Sequence, residues 1–110
     1  MLAPPIALTT EHALDDFSCG EASLDDWLIR RAKANQVSGA TRTFVVCDGR
    51  AVVAYYALAS SAVAVSATGG RFRRNMPDPI PVVVLARLAV AQSHQHRGMG
   101  RALFRDAARR

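Results

Sequence analysis

The residues best suited to chemistry form one short run, Gln95-His96-Arg97-Gly98-Met99-Gly100, between an apolar segment and an amphipathic one. Glycine lacks a Cβ, so Gly98 and Gly100 permit a tight turn and let a ligand approach the backbone closely. The first N–H groups of the following helix have no partner within that helix, and the helix dipole is positive there. Such a turn binds phosphate groups, and Arg97 and Arg101 add charge at its rim. We therefore predict a pyrophosphate-binding turn.

Other motif chemistries fit this chain less well. No Gly-Lys-Ser/Thr follows the turn, which excludes a Walker loop, and neither the GxGxxG fingerprint nor its distant acidic residue is present. His94 and His96 have no third ligand near them in sequence, so no metal site is predicted. No serine lies in a GxSxG elbow, and no Cys-His-acid set suggests a hydrolase. From spacing alone, simple capping of a helix by the glycines remains an alternative.

The elements beside the turn indicate how it is positioned. Pro81 leads into a nearly continuous apolar run from Val82 to Val90, which predicts a central strand buried on both faces. Met99, Ala102, Leu103 and Ala107 then follow at helical spacing. A buried strand followed by a helix normally leads to a parallel neighbouring strand, yet the sequence reaches Arg110 first. We therefore expect an unfinished βαβ unit, which is either truncated or completed by a second copy.

The rest of the chain shows shorter patterns. Ser23 is predicted to cap a helix that ends between Asn35 and Gly39, and Asp48-Gly49 predicts a two-residue hairpin turn. The remaining predicted elements are a strand over 5–10, a turn or short helical piece over 12–19, strands over 41–47 and 51 to about 65, and a loop over 66–81 with three prolines.

Composition limits the possible classes of protein. The 110 residues allow at most one domain, and a 50% hydrophobic and 21% charged composition is ordinary for a soluble globular protein. No apolar run reaches the roughly 18 residues of a membrane span. The N-terminus has no basic start or long apolar stretch, so no secretory signal is predicted. Cys19 and Cys47 form no CxxC pair, and we expect two free thiols in a reducing cytoplasm.

The charge balance favours an anionic partner. The formal net charge is +5, and thirteen of the fourteen basic residues are arginine. Because arginine binds phosphate bidentately, a nucleotide or RNA is a plausible partner, although arginine-rich sequences also arise from genomic base composition. The cluster Arg71-Phe72-Arg73-Arg74 has two interpretations, a solvated loop or a patch that meets nucleic-acid phosphates.

The turn and its neighbours resemble a known family. Gln95-x-x-Gly98-x-Gly100 after an apolar strand resembles motif A of the GNAT N-acetyltransferases, [RQ]xxGx[GA]. A closer resemblance, to the GNAT toxins of type II toxin–antitoxin modules, spans roughly residues 6–110. Its segments, in order, are Phe17-Ser18-Cys19-Gly20, Leu24-Asp25-Asp26-Trp27-Leu28, Arg42-Thr43-Phe44-Val45-Val46, Tyr55-Tyr56-Ala57-Leu58, Met76-Pro77-Asp78-Pro79-Ile80-Pro81 and Leu85-Ala86-Arg87-Leu88-Ala89-Val90.

This resemblance implies a fold and an activity. The fold is the α/β GNAT (acyl-CoA N-acyltransferase) fold, a mixed central sheet with flanking helices, with residues 1–110 as the N-terminal portion of a single domain and the C-terminal part absent. The implied activity transfers acetyl from acetyl-CoA to the α-amino group of aminoacyl-tRNA. The implied partners are acetyl-CoA, the charged tRNA, a ribbon-helix-helix antitoxin and a second copy in a homodimer; neither a metal nor a membrane is expected.

The resemblance also assigns residues by position. The backbone of Leu88, Ala89 and Val90 would pair with the pantetheine arm of acetyl-CoA. The pyrophosphate would be held by Gln95, His96, Arg97, Gly98, Met99, Gly100 and Arg101. The tRNA-contact candidates, chosen by charge, are Arg30, Arg31, Lys33, Arg71, Arg73 and Arg74.

The chain departs from the family pattern where catalysis is concerned. The strand that splays from the acetyl-CoA strand, and the tyrosine that protonates the leaving thiolate, would lie beyond Arg110. Tyr55 and Tyr56 belong to an earlier strand, so no catalytic residue is assigned. Ala54 and Ala91 replace a usual glycine and a frequent aspartate. Two alternatives stay open: a GNAT enzyme acting on a small-molecule or protein amine, and a module that binds acetyl-CoA or antitoxin without turnover.

Overall fold

Four strands form one sheet in the order β1-β2-β3-β4 in the computed structural model, which describes residues 2–63 and 80–110. The strands are β1 (Ile6–Ala7), β2 (Thr41–Asp48), β3 (Ala51–Val63) and β4 (Ile80–Val90). The helices are α1 (Ala22–Arg30), α2 (Ala32–Ser38) and α3 (Met99–Ala108), with a short 3-10 turn at Gln92–His94.

Two consecutive tyrosines show which helix covers which face of the sheet. Successive side chains on a strand point to opposite faces, so Tyr55 and Tyr56 of β3 point in opposite directions. The Tyr55 hydroxyl donates to the Leu24 carbonyl of α1, at 2.8 Å, whereas the Tyr56 hydroxyl donates to the Asp106 carboxylate of α3. The sheet therefore lies between α1 on one face and α3 on the other.

Aromatic packing fills both faces. On the α1 face, Tyr55 is completely buried, meets the Phe17 ring edge-on at 5.5 Å and stacks against Trp27 at 5.9 Å. On the α3 face, Tyr56 stacks against Phe44 at 5.2 Å. Such pairs contribute about 0.5–1.5 kcal/mol each beyond the burial of their area. They fix β2 and β3 against the helices and so position β4.

The helical region differs from the prediction in two ways. The predicted single helix is broken at Arg31, because α2 turns toward β2, where the Gln36 amide oxygen accepts the Thr43 N–H at 2.7 Å. The prediction that Ser23 caps α1 is wrong, since the helix begins at Ala22, two residues earlier than a Ser23 cap requires, and the Ser23 hydroxyl donates to the Glu21 carboxylate instead. The end of α2 at Gly39, with φ of +83°, confirms the predicted end.

The hairpin between β2 and β3 turns one residue later than predicted. Asp48 pairs with Ala51, so the two loop residues are Gly49 and Arg50. Only Gly49 has a positive φ, +67°. A positive φ at the first central residue alone is the pattern of a type II′ turn, which suits the twist of antiparallel strands.

The prediction that β4 is buried on both faces is wrong for the described part of the chain. There, β4 is the edge of the sheet, and Val83 and Val84 are 69% and 43% exposed. Pro81 lies within this strand, opposite Ala62, and proline is tolerated on an edge because it has no N–H to donate. The mixed sheet is likewise not seen across residues 2–63 and 80–110, whose strand pairs are antiparallel and whose parallel pairing is an isolated bridge from Ala13 to Ala51.

The predicted loop over 66–81, with its Arg71–Arg74 cluster, falls mostly outside the described residues. The helices that are described are too short and too polar to cross a membrane.

Ionisation of the buried tyrosines is expected to destabilise the fold at alkaline pH. Burial raises the pKa of Tyr56 to about 12, and the adjacent Asp106 carboxylate adds to the rise; burial also raises the pKa of Tyr55. Because the pKa of an unfolded tyrosine is about 10, the stability from neutral Tyr56 is complete below pH 10 and is lost as pH rises toward about 12. Urea unfolding midpoints across this range measure the loss. Tyr56→Phe should decline less steeply, and an equal decline would contradict the assignment.

Candidate acetyl-CoA site

The outer edge of β4 offers backbone N–H groups that β3 does not use. The Ala91 N–H donates to the Val53 carbonyl at 2.8 Å, which makes these two residues a hydrogen-bonded pair. Such pairs alternate along antiparallel strands. Ala89 therefore bonds to β3, while Leu88 and Val90 turn their N–H and C=O groups away from β3, where the Val90 carbonyl accepts the Gln95 side-chain amide. Of the three predicted pantetheine contacts, Leu88 and Val90 have the right orientation and Ala89 does not.

A β-bulge precedes this part of the edge. Arg87 pairs with Ala57 and Leu85 with Leu58, so Ala86 is an extra residue in β4. A bulge bends a strand and increases its local twist, and it often re-aims the backbone beside a functional site. The bulge separates the edge at Leu88–Val90 from the more exposed half that begins at Ile80.

The turn after β4 has the geometry of an anion site. Gly98 caps α3 with φ of +78°, and His96 also has a positive φ, +65°. The first hydrogen bond of the helix joins the Ala102 N–H to the Gly98 carbonyl at 3.1 Å. No side chain caps the helix, and within residues 2–63 and 80–110 no acceptor bonds the N–H groups of Met99, Gly100 or Arg101. Three N–H donors at the positive end of the dipole are therefore available to a phosphate.

The two glycines of the turn serve different purposes. At Gly98 an added Cβ would meet nothing within 4 Å, so the residue is needed for its backbone conformation rather than for space. At Gly100 a Cβ would lie 4.0 Å from the Leu88 side chain, an ordinary van der Waals contact. The conformational requirement for glycine thus applies to Gly98, whereas Gly100 has no positive φ and has room for a Cβ.

Gln95 holds the turn in place rather than pointing at open solvent. Its side-chain Nε2 donates to the Val90 carbonyl at 2.8 Å and to the Cys19 carbonyl at 2.7 Å. The first bond ties the turn to the end of β4, and the second ties it to the segment that enters α1. The Gln95 side chain therefore acts as a positioning group for the turn, and the predicted contact of Gln95 with the cofactor stays a prediction.

Residues 18–20 support this turn, a contact that was not predicted from the sequence. The Gln92 N–H donates to the Ser18 carbonyl at 2.8 Å, and the Asp25 carboxylate accepts the Cys19 N–H at 2.9 Å. A Cβ on Gly20 would lie 3.0 Å from the Gln92 side-chain nitrogen, so the two segments are in close contact. Gln92 is more than seventy residues from Ser18 and Gly20, and no short-range pattern predicts such a pairing.

The other residues predicted to contact acetyl-CoA or tRNA differ in their exposure and in their partners. His96, Arg97 and Arg101 are exposed around the turn, and Met99 is half-buried against the core. Arg30 and Arg31 are exposed. The Lys33 ammonium instead donates to the carbonyls of Thr10 and His12, at 2.9 and 2.8 Å, which does not favour the predicted tRNA contact. Arg71, Arg73 and Arg74 lie outside the described residues.

Neither tyrosine of the chain is available to protonate a leaving thiolate. Tyr55 and Tyr56 are completely buried, and their hydroxyls donate to Leu24 and Asp106. The pKa of each is raised by burial, so each holds its proton more tightly than an exposed tyrosine does.

Comparisons with known proteins agree with this geometry. The chain is 54% identical over 104 residues to a tRNA-acetylating toxin of Mycobacterium tuberculosis, a match that covers 94% of this chain and 62% of the toxin. The chain thus spans about three fifths of that relative's length. No model of a known protein family matches it.

Solved structures of the toxin AtaT superpose closely. AtaT in complex with acetyl-methionyl-tRNAfMet has a TM-score of 0.81 at 28% identity, covering 97% of this chain and 66% of that one. A tyrosine-to-phenylalanine mutant of AtaT, bound to the C-terminus of its antitoxin AtaR and to acetyl-CoA, has a TM-score of 0.80 at 29% identity, covering 99% and 64%. These likenesses confirm the predicted fold class.

Proposed function

The chain has the GNAT fold and resembles tRNA-acetylating toxins along nearly its whole length, and we propose on this basis that it serves in acetyl transfer from acetyl-CoA to the α-amino group of aminoacyl-tRNA. The observation that carries the proposal is the β4 edge at Leu88 and Val90 that faces away from β3. It leads directly into α3 N–H groups that have no acceptor among residues 2–63 and 80–110.

The residues present fit two parts of acetyl-CoA, its diphosphate and its pantetheine arm. A diphosphate finds three helix N–H donors and the exposed side chains of Arg97 and Arg101. A pantetheine arm carries amide groups, and an open strand edge is the surface that pairs with amides. Acetyl-CoA supplies the activated thioester, and the chain positions it.

The chemistry at the edge is direct transfer. The neutral amine nitrogen forms a bond to the acetyl carbon as the bond from that carbon to sulfur breaks. The nitrogen then loses a proton and the departing thiolate gains one, so the products are the amide and coenzyme A as its thiol. In this proposal an N–H of Leu88 or Val90 donates to the thioester oxygen as negative charge develops on it. Anchoring the diphosphate at Gly98–Arg101 lowers the entropic cost of bringing the reactants together.

The proposed partners follow from similarity and charge. AtaT has been observed with acetyl-CoA, with its antitoxin AtaR and with an acetylated tRNA. For this chain we propose charged tRNA as the acceptor, a ribbon-helix-helix antitoxin, a homodimer and a cytoplasmic location. Exposed Arg30 and Arg31, together with Arg71, Arg73 and Arg74, are the tRNA contacts that the sequence suggests.

A second candidate function is binding without turnover. Both tyrosines of this chain are bonded within the core, so the described residues supply no tyrosine as a general acid for the thiolate. On this alternative, residues 1–110 bind acetyl-CoA or antitoxin and transfer nothing.

Incubating the chain with charged tRNA and labelled acetyl-CoA separates the two functions. Acetyl transfer predicts label on the amino acid esterified to the tRNA. Replacing Arg71, Arg73 and Arg74 by glutamine should abolish that label, while the melting-temperature rise caused by acetyl-CoA stays unchanged. Acetyl-CoA binding with no label on tRNA would support the binding module, and label on a small amine with none on tRNA would identify a different GNAT substrate.

A further inference from the structure

Four arginines recur at every fourth position from the turn to the end of α3. They are Arg97, Arg101, Arg105 and Arg109, and we call them the α3 arginine row. All four are exposed. Residues three or four apart share one side of a helix, so Arg101, Arg105 and Arg109 form a nearly continuous strip along α3.

The charge of this row is not balanced by the described part of the chain. No carboxylate of residues 2–63 or 80–110 forms an ion pair with any of the four arginines. The one acidic residue of α3, Asp106, accepts the Tyr56 hydroxyl and lies 3.3 Å from the Arg110 Nε. That carboxylate is therefore committed to the core face of the helix, and the row remains a strip of one sign.

Such a row is unfavourable for the helix on its own. Like charges four residues apart destabilise a helix, and Arg101 lies in the first turn of α3, where the dipole already repels positive charge. A bound polyanion removes both penalties. Arginine also matches phosphate with two parallel hydrogen bonds.

We propose that the α3 arginine row binds the phosphate backbone of the tRNA substrate. Resting on the proposed function, this inference adds a surface to the contacts chosen from sequence, which did not include Arg105 or Arg109. The row begins at the turn that the proposed function assigns to the acetyl-CoA diphosphate, so a strand of RNA lying on the row would be next to the bound cofactor. The substrate tRNA must come close to the cofactor to be acetylated, whereas an acidic protein partner has no such need.

The length of the row exceeds what acetyl-CoA alone can use. Arg105 and Arg109 lie about 6 and 12 Å beyond Arg101 along the helix axis. The proposed function assigns the diphosphate to the N-terminal turn. The one other phosphate of acetyl-CoA, on its ribose, is a single group and cannot serve both Arg105 and Arg109, so the full row suits a longer polyanion. These two residues therefore test the row independently of the cofactor.

The test measures binding of bulk deacylated tRNA to the full chain across a range of salt concentrations. Arg105→Gln/Arg109→Gln should weaken binding by about tenfold or more and reduce the slope of log K against log salt by about two, because two phosphate contacts are lost. Arg105→Lys/Arg109→Lys keeps both charges and should retain the slope. Arg50→Gln, at the distant hairpin, removes one exposed charge and should change neither quantity. Acetyl-CoA affinity should stay unchanged in all three variants.

Each other outcome overturns the inference. An unchanged salt slope in the double glutamine variant, or no binding of tRNA by the unmodified chain, would exclude the row as an RNA surface. A parallel loss of acetyl-CoA affinity would assign the row to the cofactor, and row-dependent binding of polyglutamate without tRNA would assign it to an acidic protein. If acetyl-CoA itself fails to bind the folded chain, the proposed function fails, which is distinguishable from failure of the row alone.

Discussion

Acetyl-CoA is expected to raise the melting temperature of this protein, and Gly98→Glu is expected to abolish the rise. A ligand at one hundred times its Kd stabilises the folded state by about 2.7 kcal/mol, which for a domain of this size is a shift on the order of 10 °C. Gly98→Glu strains a backbone with φ of +78° and places a carboxylate beside the N–H donors that the diphosphate needs. Differential scanning fluorimetry with and without acetyl-CoA measures both quantities.

A matched variant separates lost binding from lost stability. Gly39 also has a positive φ, +83°, with open space around it, but it lies at the end of α2. Gly39→Glu should lower the melting temperature of the free protein by a similar amount, since a left-handed non-glycine residue costs about 1–2 kcal/mol, yet it should keep the acetyl-CoA shift.

Gly100→Ala tests the second glycine of the turn, where a Cβ has room. Its Cβ makes an ordinary contact with Leu88, so we expect a folded protein of unchanged or slightly higher stability. A well-folded wild-type chain that shows no acetyl-CoA shift would refute the site. The site would also be refuted if Gly98→Glu and Gly39→Glu bound acetyl-CoA equally well.

Replacing Gln95 is expected to weaken acetyl-CoA binding by loosening the turn. Gln95→Met has a similar length but no donor, so the Val90 and Cys19 carbonyls lose their shared partner. At about 0.5–1.5 kcal/mol for each hydrogen bond, we expect a stability loss of about 1–3 kcal/mol and roughly a tenfold weaker Kd. Chemical denaturation and calorimetric titration with acetyl-CoA report the two effects.

Two further substitutions test whether Gln95 acts by donating. Gln95→Arg keeps side-chain donors and should retain most of the binding. Gln95→Glu puts a carboxylate against two carbonyl oxygens, which raises the pKa of that carboxyl above the ordinary value of about 4.3. Its neutral form is the one that the fold accepts, so the variant should be least stable near pH 7 and recover toward wild type as pH falls. If the Met and Glu variants behave alike at every pH, hydrogen-bond donation is not the role of Gln95.

The turn could be predicted from the sequence because the conformation that it needs depends on neighbouring residues. A positive φ at Gly98 and a helix beginning at Met99 depend on neighbouring residues and on the period of the apolar positions. The same is true of the glycine that ends α2. Aromatic and apolar spacing likewise indicated β3 and α3, although β4 proved to be the exposed edge of the described sheet.

Tertiary structure alone decided which of these groups are free to act. Whether Leu88 or Ala89 presents its N–H to a ligand depends on the register between β3 and β4, and a shift of one residue would reverse the answer. Lys33 bonds to His12, Gln95 to Cys19 and Asp106 to Tyr56. Each of these hydrogen bonds joins residues that are distant in the chain. The sequence by itself thus determined that a phosphate-binding turn follows a strand. The tertiary structure determined which backbone N–H groups and which arginines lie beside that turn and are free to bind. Long-range packing decides this, and local conformation does not.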